Sequence, residues 1–247
     1  MALIDSFEKS GNYLFKYRGH IPLIVFALAV PVALLTPYSE HVQITNYKLI
    51  IYVVCFTFIS LGHFIRARTV GRRYLQTSGR NRSHQVASNL NTTGWYSIVR
   101  HPLYLGNALI WMGIVCFLEN VWFVIILMLL FWIYYERIMF AEERFLERKF
   151  GNQFKEWSEK VPAFFPSWKH FQPATVPFSW KIVFKNEYPG MLSTMTALLF
   201  VLILKRSVLY GGIYLSLNDL YCAIFILIFG LIFKGIKKYT SLFEPMD

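Results

Sequence analysis

Charge is scarce in this chain, and acid is scarcer than base. Only 16% of the 247 residues are charged, with 14 Asp and Glu against 25 Lys and Arg. A soluble domain of this length would carry about a quarter. Cysteine is sparse as well. Cys55, Cys116 and Cys222 are odd in number and each lies in an apolar run, so no disulfide framework or metal-ligand spacing exists and no metal is expected. The leader Met1 to His20 is polar and lacks a small-residue cleavage site, so no signal peptide is expected. Internal repeats, low-complexity runs and nucleic-acid motifs are missing. So is the residue-by-residue alternation over about ten positions that a β-barrel requires.

Apolar residues fill the space that charge leaves. They make up 55% of the chain, with 18% aromatic, and the mean hydropathy is +0.42. They fall into six stretches, roughly Ile21–Pro37, Tyr47–Ile65, Leu103–Leu118, Val121–Phe140, Pro189–Leu204 and Leu217–Phe233. Unpaired backbone groups are too costly in hydrocarbon for anything but helices. The expected fold is all-α: a polytopic membrane protein of about six transmembrane helices, forming one membrane domain over 1–247. Residues 189–236 would be a C-terminal helical pair.

The net charge is +11, and its placement sets an expected orientation. Seven arginines and no acid lie between Arg66 and Arg100, while Pro37–Asn46 and Glu119-Asn120 hold no Lys or Arg. The positive-inside rule then puts both termini, the arginine loop and Ala141–Tyr188 in the cytoplasm. Lys205-Arg206 would dissent, sitting outside. Basic residues beside spans suit anionic lipid headgroups, not nucleic acid.

Glu119-Asn120 is so short that the flanking spans must form an antiparallel hairpin. Arg100–Gly106 and Glu136–Glu143 therefore emerge side by side. Pro102 suits the first turn of a helix. Free N–H groups near Leu103–Leu105, with Arg100 and His101, could then hold an anion. Gly106 makes room for a ligand or a neighbouring helix. The alternative is a juxtamembrane cap, with Arg100 reaching lipid phosphates. Glu142 and Glu143 point about 100° apart on a helix, so one is expected to face the site; alternatively both are solvated partners of Arg144, Arg148 and Lys149. Leu146, Phe150, Phe154 and Trp157 follow at intervals of three and four, as in a cytoplasmic amphipathic helix.

The ordered set Arg100-His101-Pro102-Leu103-Tyr104-Leu105-Gly106, a hairpin, Glu142-Glu143-x-x-Leu146, Phe150-Gly151, Phe154, Trp157 and Val161-Pro162 resembles the isoprenylcysteine carboxyl methyltransferases and the related phospholipid methyltransferases. The resemblance covers about 94–168, taken as a methyltransferase-like cofactor-binding core. It implies S-adenosylmethionine as methyl donor. His101, Pro102, Leu103, Tyr104, Gly106 and Glu142 would bind the cofactor, with Trp157 attending its sulfonium by cation–π contact. Arg100, Glu143 and Lys160 would form the catalytic neighbourhood. Lys160 stands where the prenylcysteine enzymes carry arginine, and it lacks the bidentate fork. The glycine-rich strand–turn–helix of soluble methyltransferases is absent. The segments before 94 and after 168 lie outside the resemblance.

These readings converge on a membrane enzyme that methylates the polar end of a membrane lipid or lipidated molecule. The acceptor would be a phosphate, such as that of lipid A, then a prenyl-linked carboxylate, then an amine headgroup. The arginine loop, with Arg66 and Arg82 as acceptor-binding residues, favours an anion. The expected location is a bacterial cytoplasmic membrane with the site facing the cytoplasm. Alternatives are an NADPH-dependent sterol or isoprenoid reductase and a non-enzymatic lipid transporter or scaffold. Single cysteines at Ser83 and Ser158 should react with an impermeant reagent only once the cytoplasmic side is opened, and one at Ser39 should react from outside. Labelling of Ser83 in intact cells would overturn the positive-inside assignment.

Overall fold

The computed structural model describes residues 2–38, 46–72 and 85–240. Its regular elements are all helical. They are α1 (Leu3–Tyr17), α2 (Ile21–Leu35), α3 (Asn46–Val70), α4 (Pro102–Cys116), α5 (Val121–Phe150), α6 (Asn152–Lys160), α7 (Trp180–Leu209) and α8 (Leu217–Tyr239). Arg82, Ser39 and Ser83 lie outside the described residues.

Four helices, α3, α5, α7 and α8, are long and apolar enough to cross a membrane. α1 and α2, meeting at 67°, could supply a fifth crossing together. The expected count of six is not reached by length: α4 has 15 residues, roughly 22 Å of helix against a hydrocarbon core of about 30 Å. Four helices, α3, α5, α7 and α8, exceed their expected bounds, α5 and α7 by the most. α5 continues past Phe140 to Phe150, and α7 starts at Trp180 and takes Pro189 into its interior. Their polar ends carry helix propensity that hydropathy alone does not register.

The hairpin forms as expected. Asn120 caps α5 by accepting from the Phe123 N–H at 3.0 Å, and its own amide donates to Thr36 Oγ1 at 3.0 Å. The amphipathic stripe from Leu146 to Trp157 is not one helix. Gly151, at φ +53° and ψ −123°, breaks it into the end of α5 and the separate α6. Only glycine enters that region without strain. A second amphipathic helix, α1, lies along the end of α5. There the Arg137 guanidinium sits 3.3 Å from the Phe7 ring centre and Arg148 pairs with Glu8 at 2.6 Å.

The basic pair that defies the charge pattern is neutralised. Lys205 pairs with Glu119 at 2.7 Å, and Arg206 pairs with Asp219. Asp219 belongs to the capping box of α8 with Ser216, not to the inside of a span.

The tightest contact is between α3 and α4. A Cβ on Gly62 would lie 2.6 Å from the Gly106 carbonyl oxygen. One on Gly113 would lie 2.6 Å from the Cys55 carbonyl oxygen. Backbone blocks both, so small residues are required for the helices to approach. Gly62→Ala should therefore destabilise the protein by about 1–3 kcal/mol, the usual cost of overpacking. Gly235→Ala, in open space, should not. Thermal unfolding in lipid nanodiscs measures both.

Candidate active site at the mouth of the hairpin

Two irregular segments are stitched together beneath the hairpin. Arg100 N–H donates to Pro162 O at 2.8 Å, His101 N–H to Ala163 O at 3.2 Å, and Ser167 N–H to Ile98 O at 2.9 Å. These bonds set the Arg-His-Pro segment against the Val-Pro segment, 60 positions on. Pro102 occupies the first turn of α4 as expected. The amides behind it are not free: His101 O accepts from both Tyr104 and Leu105 at 3.1 Å. The helix start is closed on itself, so the expected ring of open N–H donors is not there.

The side chains supply the polar surface instead. Arg100 Nε donates to Glu143 Oε1 at 2.9 Å, and Arg100 Nη1 to Ser158 O in α6 at 2.6 Å. His101 Nε2 lies 2.9 Å from the same Glu143 oxygen. A carboxylate oxygen only accepts, so Nε2 carries a proton. On the other side, His101 Nδ1 is 3.7 Å from Glu142 Oε2, and Tyr104 Oη donates to Glu142 Oε1 at 2.8 Å. Both acids therefore reach the hairpin site, because buried His101 sits between them. Trp157 Nε1 donates to Tyr96 O at 3.0 Å, docking α6 on the loop before Arg100.

Above this cluster opens a cavity of about 740 Å³. Arg100, His101, Pro102, Leu103, Tyr104, Glu142 and Trp157 line it, all named from sequence. Gln85, Asn89 and Asn91 line it as well. Glu143 stands behind the lining, holding Arg100 and His101. Gly106 packs against α3, where a Cβ on it would meet Arg66 Cγ at 2.6 Å, and it is not among the lining residues. Lys160 is exposed at the end of α6 and does not line the cavity.

Deeper in lies a network that sequence reasoning missed. Arg66 forms a fork on Glu187, with Nε to Oε2 at 2.7 Å and Nη2 to Oε1 at 2.9 Å. Its Nη1 donates to Asn107 Oδ1 at 2.6 Å, and Asn107 Nδ2 donates to Tyr135 Oη at 3.2 Å. Glu187 is 4% exposed. It is the sole acid in the thirty residues of α7, a signal overlooked because hydropathy began that span at Pro189. Arg66, expected to meet an acceptor directly, lines the cavity with its charge already matched.

An all-helical membrane protein with a polar-mouthed, apolar-backed cavity is the class these features define. Comparison with known proteins gives likenesses over part of the chain. Residues 48–153 match the phospholipid methyltransferase family. It is 37% identical over 100 residues to the nickel-cobalt-cadmium resistance protein NccN of Alcaligenes xylosoxydans xylosoxydans, covering 40% of this chain and 44% of that protein. It is 30% identical over 115 residues to the protein-S-isoprenylcysteine O-methyltransferase of Schizosaccharomyces pombe, covering 44% and 47%. It is 32% identical over 135 residues to protein-S-isoprenylcysteine O-methyltransferase B of Arabidopsis thaliana, covering 52% and 62%. The matched stretches thus span about half the length of these relatives. No solved structure matches the chain.

The Arg66–Glu187 fork makes a sharp prediction. Removing one partner of a buried pair typically costs about 3–5 kcal/mol, whereas replacing both with apolar residues is often close to neutral. Arg66→Met and Glu187→Met should each lower the unfolding temperature markedly, and the double variant should recover most of the loss. Equal, additive losses in calorimetry would show that the pair is not coupled.

Proposed function

We propose that the chain is an integral membrane methyltransferase that uses S-adenosylmethionine to methylate an oxyanion on a membrane lipid or lipidated molecule. The observation that carries this reading is His101, buried between two carboxylates at the mouth of a cavity whose far end is apolar. The residues present fit the donor molecule. Among the described residues, Glu142 Oε2 has His101 Nδ1 at 3.7 Å as its nearest polar partner, and Glu142 lines the cavity, where it can take an ammonium or ribose hydroxyls. Arg100 offers charge and His101 lies beside it at the lining, where both can meet a carboxylate, and Tyr96, Tyr104 and Trp157 offer aromatic surface to a sulfonium. The volume lies within the range of about 300–1,000 Å³ common to small-molecule sites.

When bound, the donor supplies an electrophilic methyl group: an O–CH3 bond forms at the acceptor as the S–CH3 bond breaks, its electron pair staying on sulfur. No proton has to move, so no strong base is needed. The protein's part is positioning and exclusion of water. Glu143 fixes Arg100 and His101; Ser158 O and Tyr96 O fix α6 as the floor. The apolar lobe suits a lipid or prenyl tail entering from the bilayer. The arginines between Arg66 and Arg100 support a cytoplasmic site by the positive-inside rule.

Calorimetry on nanodisc-embedded protein should show binding of S-adenosylmethionine and of its demethylated product, without comparable binding of NADPH. His101→Ala should weaken that binding by about one to two decades, the worth of a charge-assisted hydrogen bond; the thermal midpoint falls as well, since Glu143 loses a partner, so binding is read well below the variant's own unfolding range. A folded protein that ignores S-adenosylmethionine would end the methyltransferase reading.

A further inference from the structure

The deep network also fixes where one proton points. Arg66 can only donate, so the Asn107 oxygen must face it, as the 2.6 Å bond to Oδ1 records. The Asn107 amide nitrogen must then face Tyr135, and Tyr135 Oη must accept from it at 3.2 Å. The Tyr135 hydroxyl proton is left over. Among the described residues no acceptor takes it. Tyr135 is 7% exposed, and what it borders is the cavity. Its neighbour Tyr104, with rings 4.7 Å apart, differs in this respect: the Tyr104 proton is committed to Glu142.

We propose that Tyr135 is an acceptor-binding residue, whose hydroxyl, oriented by Arg66 through Asn107, donates one hydrogen bond to an oxyanion held in the cavity. The proposal rests on the methyltransferase reading for its place in a reaction, though not for the site itself. It specifies the acceptor's chemistry. An amine nitrogen has one lone pair, and a donor bound to it blocks attack on a methyl group. An oxyanion keeps lone pairs to spare, so it can be held by Tyr135 and still react. The surrounding wall suits the rest of such a molecule. Phe26, Ile110, Trp111, Ile114 and Leu192 line the same cavity, so an apolar chain can lie against them while its charged head meets Tyr135. Burial strengthens the bond, because an unmade one would leave a polar group dry.

The test uses full-length protein in nanodiscs, with and without the demethylated donor product. Three probes share one tail: N-acetyl-S-farnesylcysteine with a carboxylate, farnesyl monophosphate with a phosphate, and farnesylamine. The native protein should bind at least one oxyanion probe more tightly than the amine; whichever binds better identifies the head as carboxylate or phosphate. Tyr135→Phe should weaken oxyanion binding about tenfold or more, with farnesylamine binding and donor-product binding unchanged. Asn107→Asp turns the donor facing Tyr135 into an acceptor, which draws the proton away from the cavity, so it should weaken oxyanion binding with every ring in place. Retained donor-product binding certifies that each variant is folded. Failure of both oxyanion probes to bind, equal binding by both variants and native protein, or preference for farnesylamine would each overturn the proposal. A protein that ignores the donor product yet binds oxyanions through Tyr135 would overturn the methyltransferase reading and leave this site standing.

Discussion

Where α3 crosses α4 there is no room for a side chain on either helix, and the rest of the site follows from that closeness. Gly62 lies on the Gly106 carbonyl, and Gly113 lies on that of Cys55. With lipid as solvent, apolar burial does little to join helices, so close van der Waals contact between backbones has to do it. One turn beyond Gly62, the stem of Arg66 lies across Gly106. That passage brings the guanidinium to Asn107 and Glu187 together. The same crossing fixes the start of α4, and with it His101, against the carboxylates of α5. A methyl group on Gly106 would disturb both networks without touching a ligand.

Charge at the cavity is matched almost group for group. Arg66 meets Glu187, Arg100 meets Glu143, and Glu142 meets Tyr104 and faces His101. In a membrane setting such pairing is a condition for burying ions at all. It also separates two uses of arginine that a sequence presents identically. Arg100 and Arg66 are holders of other groups, each tied to a carboxylate and to a second helix or segment. Arg66 contributes to a ligand through what it orients.

Much of the mouth of the site could be read directly. A two-residue turn fixes a hairpin, and a hairpin fixes which of its ends meet, so Arg100–Gly106 and Glu142-Glu143 were bound to be neighbours. Pro102 marked its helix start by its missing N–H. The deeper half could not be read this way, because it depends on which faces of α3, α4 and α7 meet. Asn107, Tyr135 and Glu187 look like ordinary interruptions in apolar runs, and only a register between helices 28 to 121 positions apart joins them. Gly106 was ambiguous for the same reason: close approach was foreseeable, but the approaching partner was not. The lone break at Gly151 escaped because a hydrophobic stripe continues across it.

The Arg66–Glu187 fork has a meaning in time as well as in space. Its two halves are made 121 positions apart, and Lys205 closes on Glu119 later still, 86 positions after it. While the chain is growing, α3 holds a cation at the edge of hydrocarbon with no counter-charge on the helices already made beside it. A bundle of α2 to α5 is thereby discouraged from settling, since an unmatched buried ion is far more costly than an exposed one. Arrival of α7 removes the penalty and latches both ends of the bundle, with the fork at one end and Lys205 at the other. The seventh helix is in this sense the clasp of the assembly, and the cavity acquires its final shape only when that clasp shuts.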